Sequence, residues 1–549
     1  MIRDLDDHDG ALPEYDVCIV GSGPAGTTTA AELAGSGLRV CVLESGRLTP
    51  TRQGDALRAV ESSGITIKEY SRERVLGGTS TTWAGLSAPL DEIDFAPRPW
   101  LDHSGWPIER DALLPYWEAA AERYRFAPAE FFGESGFGGL RAKSTVQPSW
   151  NDIGEKVFIA AAPSQNFGRE HRHVFEGGEI DAWLDATVIG LDTDDDGDEV
   201  RSAEVRTRGG KTFELRARVF VLATGGLENA RLLLHANLGN EHDQVGRYLM
   251  NHPKNYHGML HLTEPTGDLP FYYGCLYRGF AGYAGLRLTE PYQREHELLN
   301  SYIRLEPLFP WTDSEGVEAL VLFAKHSQVL MRRFQKSKGD EVIALRDYSE
   351  TGDDSDVQNA RKGLGDWLAL ALKIPLDAPS VLRYLKYRLV TKRKPRIRRV
   401  RIRNFMEMEP HPENRVLLGD ERDAYGVPVP RVEHDTTEKD RDAVIALHDV
   451  FGRELEAQGL GRLETDLRGT TPWPIDVEAS HHLGTTRMGA DPATSVVDAD
   501  CRVHGTSNLF VAGGSVFPTS GCANPTYTIV ALAIRLAEHL RTELAPKEA

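Results

Sequence analysis

The sequence contains little cysteine, and its five cysteines are widely separated along 549 residues. No Cys-x-x-Cys pair occurs, and no group of histidines and cysteines has the spacing of metal ligands. We therefore expect no disulfide framework, no dithiol redox centre of the kind used by disulfide reductases, and no bound metal.

Long apolar runs and positive net charge are also absent. No stretch approaches the ~20 consecutive apolar residues that cross a bilayer. Residues 1–15 are acidic and polar, unlike a secretory signal, so we expect a cytoplasmic protein without a membrane partner. The formal net charge of -19 opposes nucleic-acid binding, and no nucleic-acid partner is expected.

One segment, residues 383–403, is nevertheless strongly basic. Ile397, Val400 and Ile402 interrupt its arginines and lysines in a pattern typical of a strand with one solvated face. We therefore favour a structural role for this segment. The alternative is a non-catalytic protein that binds nucleic acid or a membrane surface through it.

The N-terminal region has the pattern of a strand, a glycine turn, a helix and a second strand. Residues 16–20 and 38–43 are apolar runs, and residues 27–33 suit a helix. The glycine turn between them allows close approach of a pyrophosphate, and the helix N-terminus offers N–H groups to it. A carboxylate about 20 residues further on accepts hydrogen bonds from a ribose. The predicted dinucleotide-binding residues are Gly21, Ser22, Gly23, Ala25, Gly26 and Glu44.

Three further segments are predicted to contact the same cofactor. They are the glycine loop at 77–83, a buried strand at 219–222 that ends in glycines, and a terminal strand at 508–512 that ends in two more. Apolar and charged residues alternate at 199–215, which predicts antiparallel strands before the buried strand at 219–222. A helix is expected after that strand, at 227–234. A cofactor that needs all of these segments is longer than a nicotinamide dinucleotide, which favours FAD. The additional predicted contacts are Gly77, Gly78, Thr79, Ser80, Trp83, Val188, Ala223, Gly225, Gly513, Gly514 and Thr526.

The segments HLGTTRMG at 482–489 and GCANPT at 521–526 carry a family resemblance. With the glycine motifs, they resemble the glucose-methanol-choline (GMC) oxidoreductases, and among them the pyranose oxidases and bacterial glycoside 3-oxidases. The resemblance implies an α/β fold of two domains. Residues 12–100, 180–256 and 478–545 would form a discontinuous Rossmann-type FAD domain. Residues 101–179 and 257–477 would form an inserted substrate domain on a largely antiparallel sheet, with a helical insertion near 340–395.

The resemblance also implies a catalytic pair, His482 and Asn524. A neutral imidazole can take the proton of an alcohol while the adjacent carbon gives hydride to flavin N5. Asn524 would hydrogen-bond the same substrate oxygen, and its place before Pro525 also suits the cap of a helix over 524–540. The neighbouring His481 competes with His482 for the role of base.

The expected reaction is FAD-dependent oxidation of a secondary hydroxyl, at C2 or C3 of a sugar or glycoside, to a ketone. C-glycosides are included among the expected substrates. Electrons would pass to O2 and give H2O2; the alternative is a sugar or other alcohol dehydrogenase with a quinone or protein acceptor. Fungal pyranose oxidases have a flavin-linked histidine at the position of Thr82, so we expect non-covalent FAD here. An oligomer is compatible with the resemblance.

Overall fold

Two large β-sheets and one small sheet form the framework of the protein. The computed structural model describes residues 1–68, 71–326, 343–344, 364–392, 394–475 and 480–545. The chain combines strands and helices. Its buried apolar side chains form two principal clusters, one on each large sheet.

The first sheet contains the N-terminal glycine motif and has eight strands. In spatial order they are β1 (Ile2–Asp4), β6 (Ile180–Leu184), β3 (Val40–Glu44), β2 (Tyr15–Val20), β9 (Thr212–Leu222), β8 (Val200–Arg206) and β7 (Thr187–Thr193), and β20 (Leu509–Val511) pairs with β9. The pairs from β1 to β9 are parallel, as is β9 with β20, whereas β9, β8 and β7 are antiparallel. Strand β3 is buried at every position, as expected of a parallel strand covered on both faces.

Strand β9 differs from the sequence-based expectation. The second of the antiparallel strands predicted over 199–215 and the buried strand predicted at 219–222 form one continuous strand. Its first half alternates between exposed and less exposed residues and pairs with β8, and its last four residues are fully buried and pair with β2 and β20. The change of pattern therefore marks a change of neighbours within one strand.

Three helices follow strands of this sheet at the predicted places. They span Pro24–Leu33, Gly226–Ala236 and Thr526–Leu544. The prediction that Asn524 caps the last helix is wrong. The helix begins two residues later, its N-cap is Pro525, and no side chain makes a capping hydrogen bond.

The second large sheet is antiparallel in every described pair. In spatial order its strands are β15 (Ile343–Ala344), β12 (Cys275–Tyr277), β13 (Phe280–Leu288), β14 (Tyr302–Pro307), β16 (Ile397–Phe405), β11 (Met259–Thr266) and β19 (Gly461–Glu464), and β5 (Ile153–Ala161) and β10 (Lys254–Asn255) pair with β13 and β16. The helix Glu438–Ala457 contributes Leu447 and Phe451 to the apolar cluster of this sheet. The expected combination of a Rossmann-type sheet and an antiparallel sheet is confirmed, and the domain boundaries stay a prediction.

A small third sheet joins distant parts of the chain. It consists of β17 (Arg415–Arg422), β18 (Pro428–His434) and β4 (Glu61–Gly64). Val416 and Val432 of this sheet belong to the apolar cluster of the first large sheet.

The remaining α-helices are mostly short. They are Arg52–Ala56, Glu92–Phe95, Leu114–Tyr124, Ala129–Phe132, Phe167–Glu170, Arg172–Glu176, Pro270–Tyr273, Glu290–Glu295, Glu315–His326, Leu364–Leu376 and Ala378–Lys386. The last two lie in the helical insertion expected near 340–395, of which residues 340–342, 345–363 and 393 are outside the described part of the chain. Within the described ranges, no helix combines the length and apolarity needed to span a bilayer.

The basic segment includes strand β16, as the pattern of Ile397, Val400 and Ile402 predicted. These three side chains are buried. Arg401 forms ion pairs with Glu306 and Asp313, and so has carboxylate partners within the chain. These contacts support the structural interpretation of the segment.

A buried ion pair connects the region after helix Glu92–Phe95 with the region after strand β16. Arg98 donates from Nη1 and Nη2 to the two carboxylate oxygens of Glu407 at 2.9 and 2.6 Å. Both side chains are completely buried, and the backbone N–H of Asn300 also donates to Glu407. Bidentate geometry and an additional donor offset the cost of removing two charges from water.

Replacing one residue of this pair should destabilise the protein more than replacing both. Arg98→Met leaves the Glu407 carboxylate buried without its partner, and we expect a loss of about 3 to 5 kcal/mol in the free energy of unfolding by urea. The double variant Arg98→Met/Glu407→Met should lose less than the single variant. Arg172→Met, which removes an exposed pair with Glu176, is the control and should cost less than about 1 kcal/mol. A double variant that is as unstable as Arg98→Met would contradict this interpretation.

Candidate active site

A cleft lies at the carboxyl ends of strands β2, β3, β9 and β20. It encloses about 1290 Å³, part of which is open to solvent. Carboxyl ends of parallel strands are the usual ligand-binding edge of such a sheet. The predicted site residues that line it are Gly21, Ser22, Gly23, Ala25, Glu44, Gly78, Thr79, Val188, Ala223, Gly225, His482, Gly513, Gly514 and Thr526.

Glycine backbone forms much of the cleft wall. A Cβ atom at Gly23, Gly225 or Gly513 would meet no protein atom within 4 Å, so their backbones face open space. Gly21 has a φ of 101°, and a Cβ there would lie 2.6 Å from the carbonyl oxygen of Ala223. The wall is therefore shaped for close backbone approach by a long ligand.

The first helix directs its amino end at the cleft. Its N-cap is Gly23, and no side chain caps the N–H groups of its first turn. Unpaired N–H groups at a helix N-terminus favour an anion such as a pyrophosphate. Gly26, the third glycine of the motif, does not line the cleft; a Cβ there would lie 2.0 Å from the carbonyl oxygen of Gly21, so it permits the packing of helix on strand.

Glu44 lies at the end of β3, where the sequence placed it. Its carboxylate accepts from the backbone N–H and hydroxyl of Ser22 at 3.1 and 2.5 Å, and from the N–H of Gly46 at 2.7 Å. Burial raises the pKa of Glu44, and these hydrogen bonds oppose the rise. Because Glu44 also lines the cleft, its remaining acceptor capacity is available to a ribose.

The glycine loop has a lining part and a supporting part. Gly78 and Thr79 line the cleft, whereas Gly77, Ser80 and Trp83 do not. Ser80 donates to the carbonyl of Gly77 at 2.6 Å and accepts from the N–H of Phe167 at 3.0 Å. The indole of Trp83 donates to the carbonyl of Gln165 at 2.6 Å. These residues fix the loop rather than line the cofactor cavity.

Sequence reasoning missed a charged cluster in the cleft wall. Glu228, in the first turn of helix Gly226–Ala236, forms ion pairs with Arg72, Arg74 and Arg231. Burial raises the pKa of Glu228, but the three arginines more than offset it and hold the pKa well below its usual range. Arg72 and Arg74 immediately precede the glycine loop in the sequence, which is the signal that could have indicated them.

The two adjacent histidines both line the cleft but have different surroundings. The Nδ1 of His481 lies 2.8 Å from the Nδ1 of His252. The Nε2 of His482 is sealed from solvent and has no hydrogen-bond partner among the described residues. Burial, with Arg72 and His434 nearby, lowers the pKa of His482 to about 3.

Asn524 does not itself line the cleft, although Pro525 and Thr526 do. Its side chain is partly exposed and forms no hydrogen bond with any residue in the described ranges. A polar side chain without a protein partner beside the cleft can hold a polar ligand group.

The comparisons with known proteins agree with this architecture. A family model for GMC oxidoreductases matches residues 410–533, and one for pyridine nucleotide-disulphide oxidoreductases matches residues 15–254. Paromamine 6'-oxidase of Streptomyces fradiae is 24% identical over 97% of this chain and 92% of its own. C-glycoside 3-oxidase of Microbacterium trichothecenolyticum is 39% identical over 24% of this chain and 25% of its own.

The match over residues 410–533 and these relatives bear out the resemblance to the GMC oxidoreductases. A solved structure, pyridoxine 4-oxidase from Mesorbium loti, has the same fold, with a TM-score of 0.51 at 17% identity over 95% of this chain and 98% of that one. The expected FAD-dependent oxidoreductase of CH–OH groups is thereby confirmed. The glycine wall and the uncapped helix fit FAD: the helix N-terminus would hold its pyrophosphate, and Glu44 would accept hydrogen bonds from its ribose.

We expect this protein to retain FAD through Glu44 without a covalent bond. We expect Glu44→Ala to weaken FAD binding by about 10- to 100-fold, because about 1 to 3 kcal/mol of charge-assisted hydrogen bonding is lost. The measurement is flavin fluorescence during titration of the apoprotein. Asp185→Ala, which removes a buried carboxylate outside the cleft, is the matched control.

Acid precipitation should release FAD from the wild-type protein, because Thr82 cannot form the covalent link. Flavin that stays in the pellet would contradict the non-covalent assignment.

Proposed function

We propose that this chain oxidises a hydroxyl group of a sugar or glycoside with bound FAD. The observation that carries the proposal is that the glycine wall, Glu44 and the histidine pair all line one cleft. A wall that suits a dinucleotide and a group that can accept a proton thus share a cavity, which supports the proposal. The assignment of a sugar-like substrate draws on the names of the relatives.

The position of oxidation is the finer part of the proposal. Paromamine 6'-oxidase, which matches along nearly the whole chain, is named for position 6', and C-glycoside 3-oxidase, which is more identical over a shorter stretch, is named for position 3. We retain a secondary hydroxyl at C3 or C2 as the proposed target. Oxidation at position 6 is the competing outcome, and the two can be separated with deoxy substrates.

FAD supplies the acceptor for the hydride that leaves the carbon of the alcohol. The protein must then take the hydroxyl proton, since an alcohol does not ionise at neutral pH. A buried neutral imidazole can do this, and a correctly placed base contributes about 10²- to 10⁴-fold to the rate. The product is a carbonyl compound, and the proton remains on the protein until it reaches solvent.

The contacts of the two rings favour His481 over His482 as the base. A base must reach the substrate, and the Nε2 of His482 is enclosed by protein. His482 also packs tightly against Gly226, because a Cβ added to Gly226 would lie 2.7 Å from the Cβ of His482. The positive charge of Arg72 is also close to His482. His481 has its Nδ1 occupied by His252, which leaves Nε2 for the cleft.

Asn524 is proposed to hydrogen-bond the reacting oxygen and fix its orientation. Its amide has no partner among the described residues, so binding substrate breaks no existing contact there. The electron acceptor is proposed to be O2, with a quinone or protein acceptor as the alternative. The expected cytoplasmic location and the oligomeric state stay predictions.

The substrate class is tested by anaerobic bleaching of the flavin absorbance. We expect glucose, an O-glycoside or a C-glycoside to bleach the holoprotein and choline to fail. Loss of bleaching with the 3-deoxy or 2-deoxy substrate, but not with the 6-deoxy substrate, would support a secondary hydroxyl. Rapid return of colour in air with H2O2 would identify an oxidase, whereas slow return would identify a dehydrogenase. If no sugar or glycoside bleaches the flavin, the proposed substrate class is wrong.

The choice of base is tested by two matched variants. His481→Ala should lower the rate of flavin bleaching by about two to four orders of magnitude, because the proton loses its acceptor. His482→Ala should lower it less, through packing alone. Stopped-flow absorbance under anaerobic conditions measures both, with FAD content as the control for folding. A larger loss in His482→Ala than in His481→Ala would restore the assignment made from the sequence.

A further inference from the structure

The segment Met250-Asn251-His252 runs antiparallel to the segment that contains His481. Met250 and Leu483 exchange two backbone hydrogen bonds of 3.0 Å. The side-chain oxygen of Asn251 accepts from the backbone N–H of His481 at 2.9 Å. The backbone on both sides of the His481 ring is therefore held before any ligand binds.

His252 connects the ring of His481 to the loop that precedes Asn524. The Nε2 of His252 lies 2.8 Å from the carbonyl oxygen of Gly521, and its Nδ1 lies 2.8 Å from the Nδ1 of His481. Both distances are those of good hydrogen bonds. His252 is buried, so water does not compete for either contact.

The carbonyl of Gly521 determines where the protons of this pair lie. A carbonyl oxygen can only accept, so the Nε2 of His252 must carry a hydrogen. Burial lowers the pKa of His252, which favours the neutral ring, and the Nδ1 of a neutral ring protonated at Nε2 is an acceptor. The Nδ1 of His481 must then be the donor between the two rings.

We infer that His252 is a positioning residue that holds the proton of neutral His481 on Nδ1 and thereby makes Nε2 the proton-accepting atom. The inference rests on the proposed function of the site. In the reaction, the C–H electron pair leaves as hydride to FAD, the O–H bond breaks, and its proton goes to Nε2 of His481. The other N–H of the resulting imidazolium continues to donate to His252, so the contact persists through the step.

Gly521 is suited to this role because its backbone position is fixed. It has a φ of 55°, and a Cβ there would lie 2.6 Å from the carboxylate of Asp94. The carbonyl that orients His252 thus belongs to a tightly packed turn three residues before Asn524. One loop therefore contributes both the proposed substrate contact and the group that sets the tautomer of the base.

Variants at His252 distinguish positioning from packing. His252→Leu removes the acceptor, and we expect flavin bleaching to slow by about 10- to 100-fold, the usual effect of losing a supporting hydrogen bond. His252→Asp provides an obligate acceptor, so it should bleach faster than His252→Leu although a carboxylate packs less well there. His448→Leu is the matched control, because His448 is buried with two hydrogen bonds but does not line the cleft.

The pH profile gives a second readout. A carboxylate at 252 raises the pKa of His481, so the acid limb of the bleaching rate should move to higher pH than in wild type. The other charged or titratable groups near His481 are Lys254, His482 and Lys68, and all of them are retained in the variant. Equal rates for His252→Asp and His252→Leu at every pH, with FAD content unchanged, would overturn the inference.

A neutron structure of the deuterated wild-type holoenzyme decides the tautomer without any substrate. Deuterium on Nδ1 of His481 and on Nε2 of His252 is the expected result. Deuterium on Nε2 of His481, with Nδ1 bare, would overturn the inference even if sugars bleach the flavin. Failure of every sugar and alcohol to bleach the wild-type protein would instead remove the proposed function, while the neutron map would still report the proton positions.

Discussion

Strand β9 is the structural element on which the whole site depends. It pairs in parallel with β2 from the N-terminal part of the chain and with β20 from the C-terminal part. Two hydrogen bonds of 2.8 Å, from Ala223 to Val20 and from Ala512 to Leu222, place the glycines after these strands at one edge. The cleft wall therefore forms only after contacts between residues about 200 and 290 positions apart have closed, which is the entropic cost of this architecture.

Two other long-range connections join distant parts of the chain, and one of them lies beside the histidines. Backbone hydrogen bonds join Met250 to Leu483, next to His482, and the buried Arg98–Glu407 pair joins the region after helix Glu92–Phe95 to the region after strand β16. Both connections are made by hydrogen bonds rather than by apolar packing alone. A buried bidentate pair and a short antiparallel bridge are directional, so they define positions as well as contribute stability.

Sequence reasoning found the parts of the site that follow directly from backbone geometry. The glycines of the first turn, Glu44 and the paired glycines after β20 could be predicted because a strand, a tight turn and a helix leave few arrangements. It could not place the ion cluster of Arg72, Arg74 and Glu228, since these residues meet only after the chain returns about 150 positions later. The predicted cap by Asn524 was wrong because Pro525 itself occupies the capping position.

The choice between His481 and His482 also lay beyond the sequence. Adjacent residues share every local pattern, and only the partners of each ring distinguish them. The ring of His481 is hydrogen-bonded to His252, which is in turn hydrogen-bonded to the carbonyl of Gly521. The ring of His482 is instead enclosed near Arg72.

The surroundings of His481 determine what kind of base it can be. Burial lowers its pKa most, and His252, Lys254, His482 and Lys68 lower it further. In a Ser-His-Asp triad a carboxylate stabilises the imidazolium; here the acceptor of the Nδ1 proton is a neutral ring. If His481 is the base, as proposed, so weak a base would take the hydroxyl proton as the hydride leaves rather than before it. It would also release that proton readily afterwards, which would restore the neutral ring.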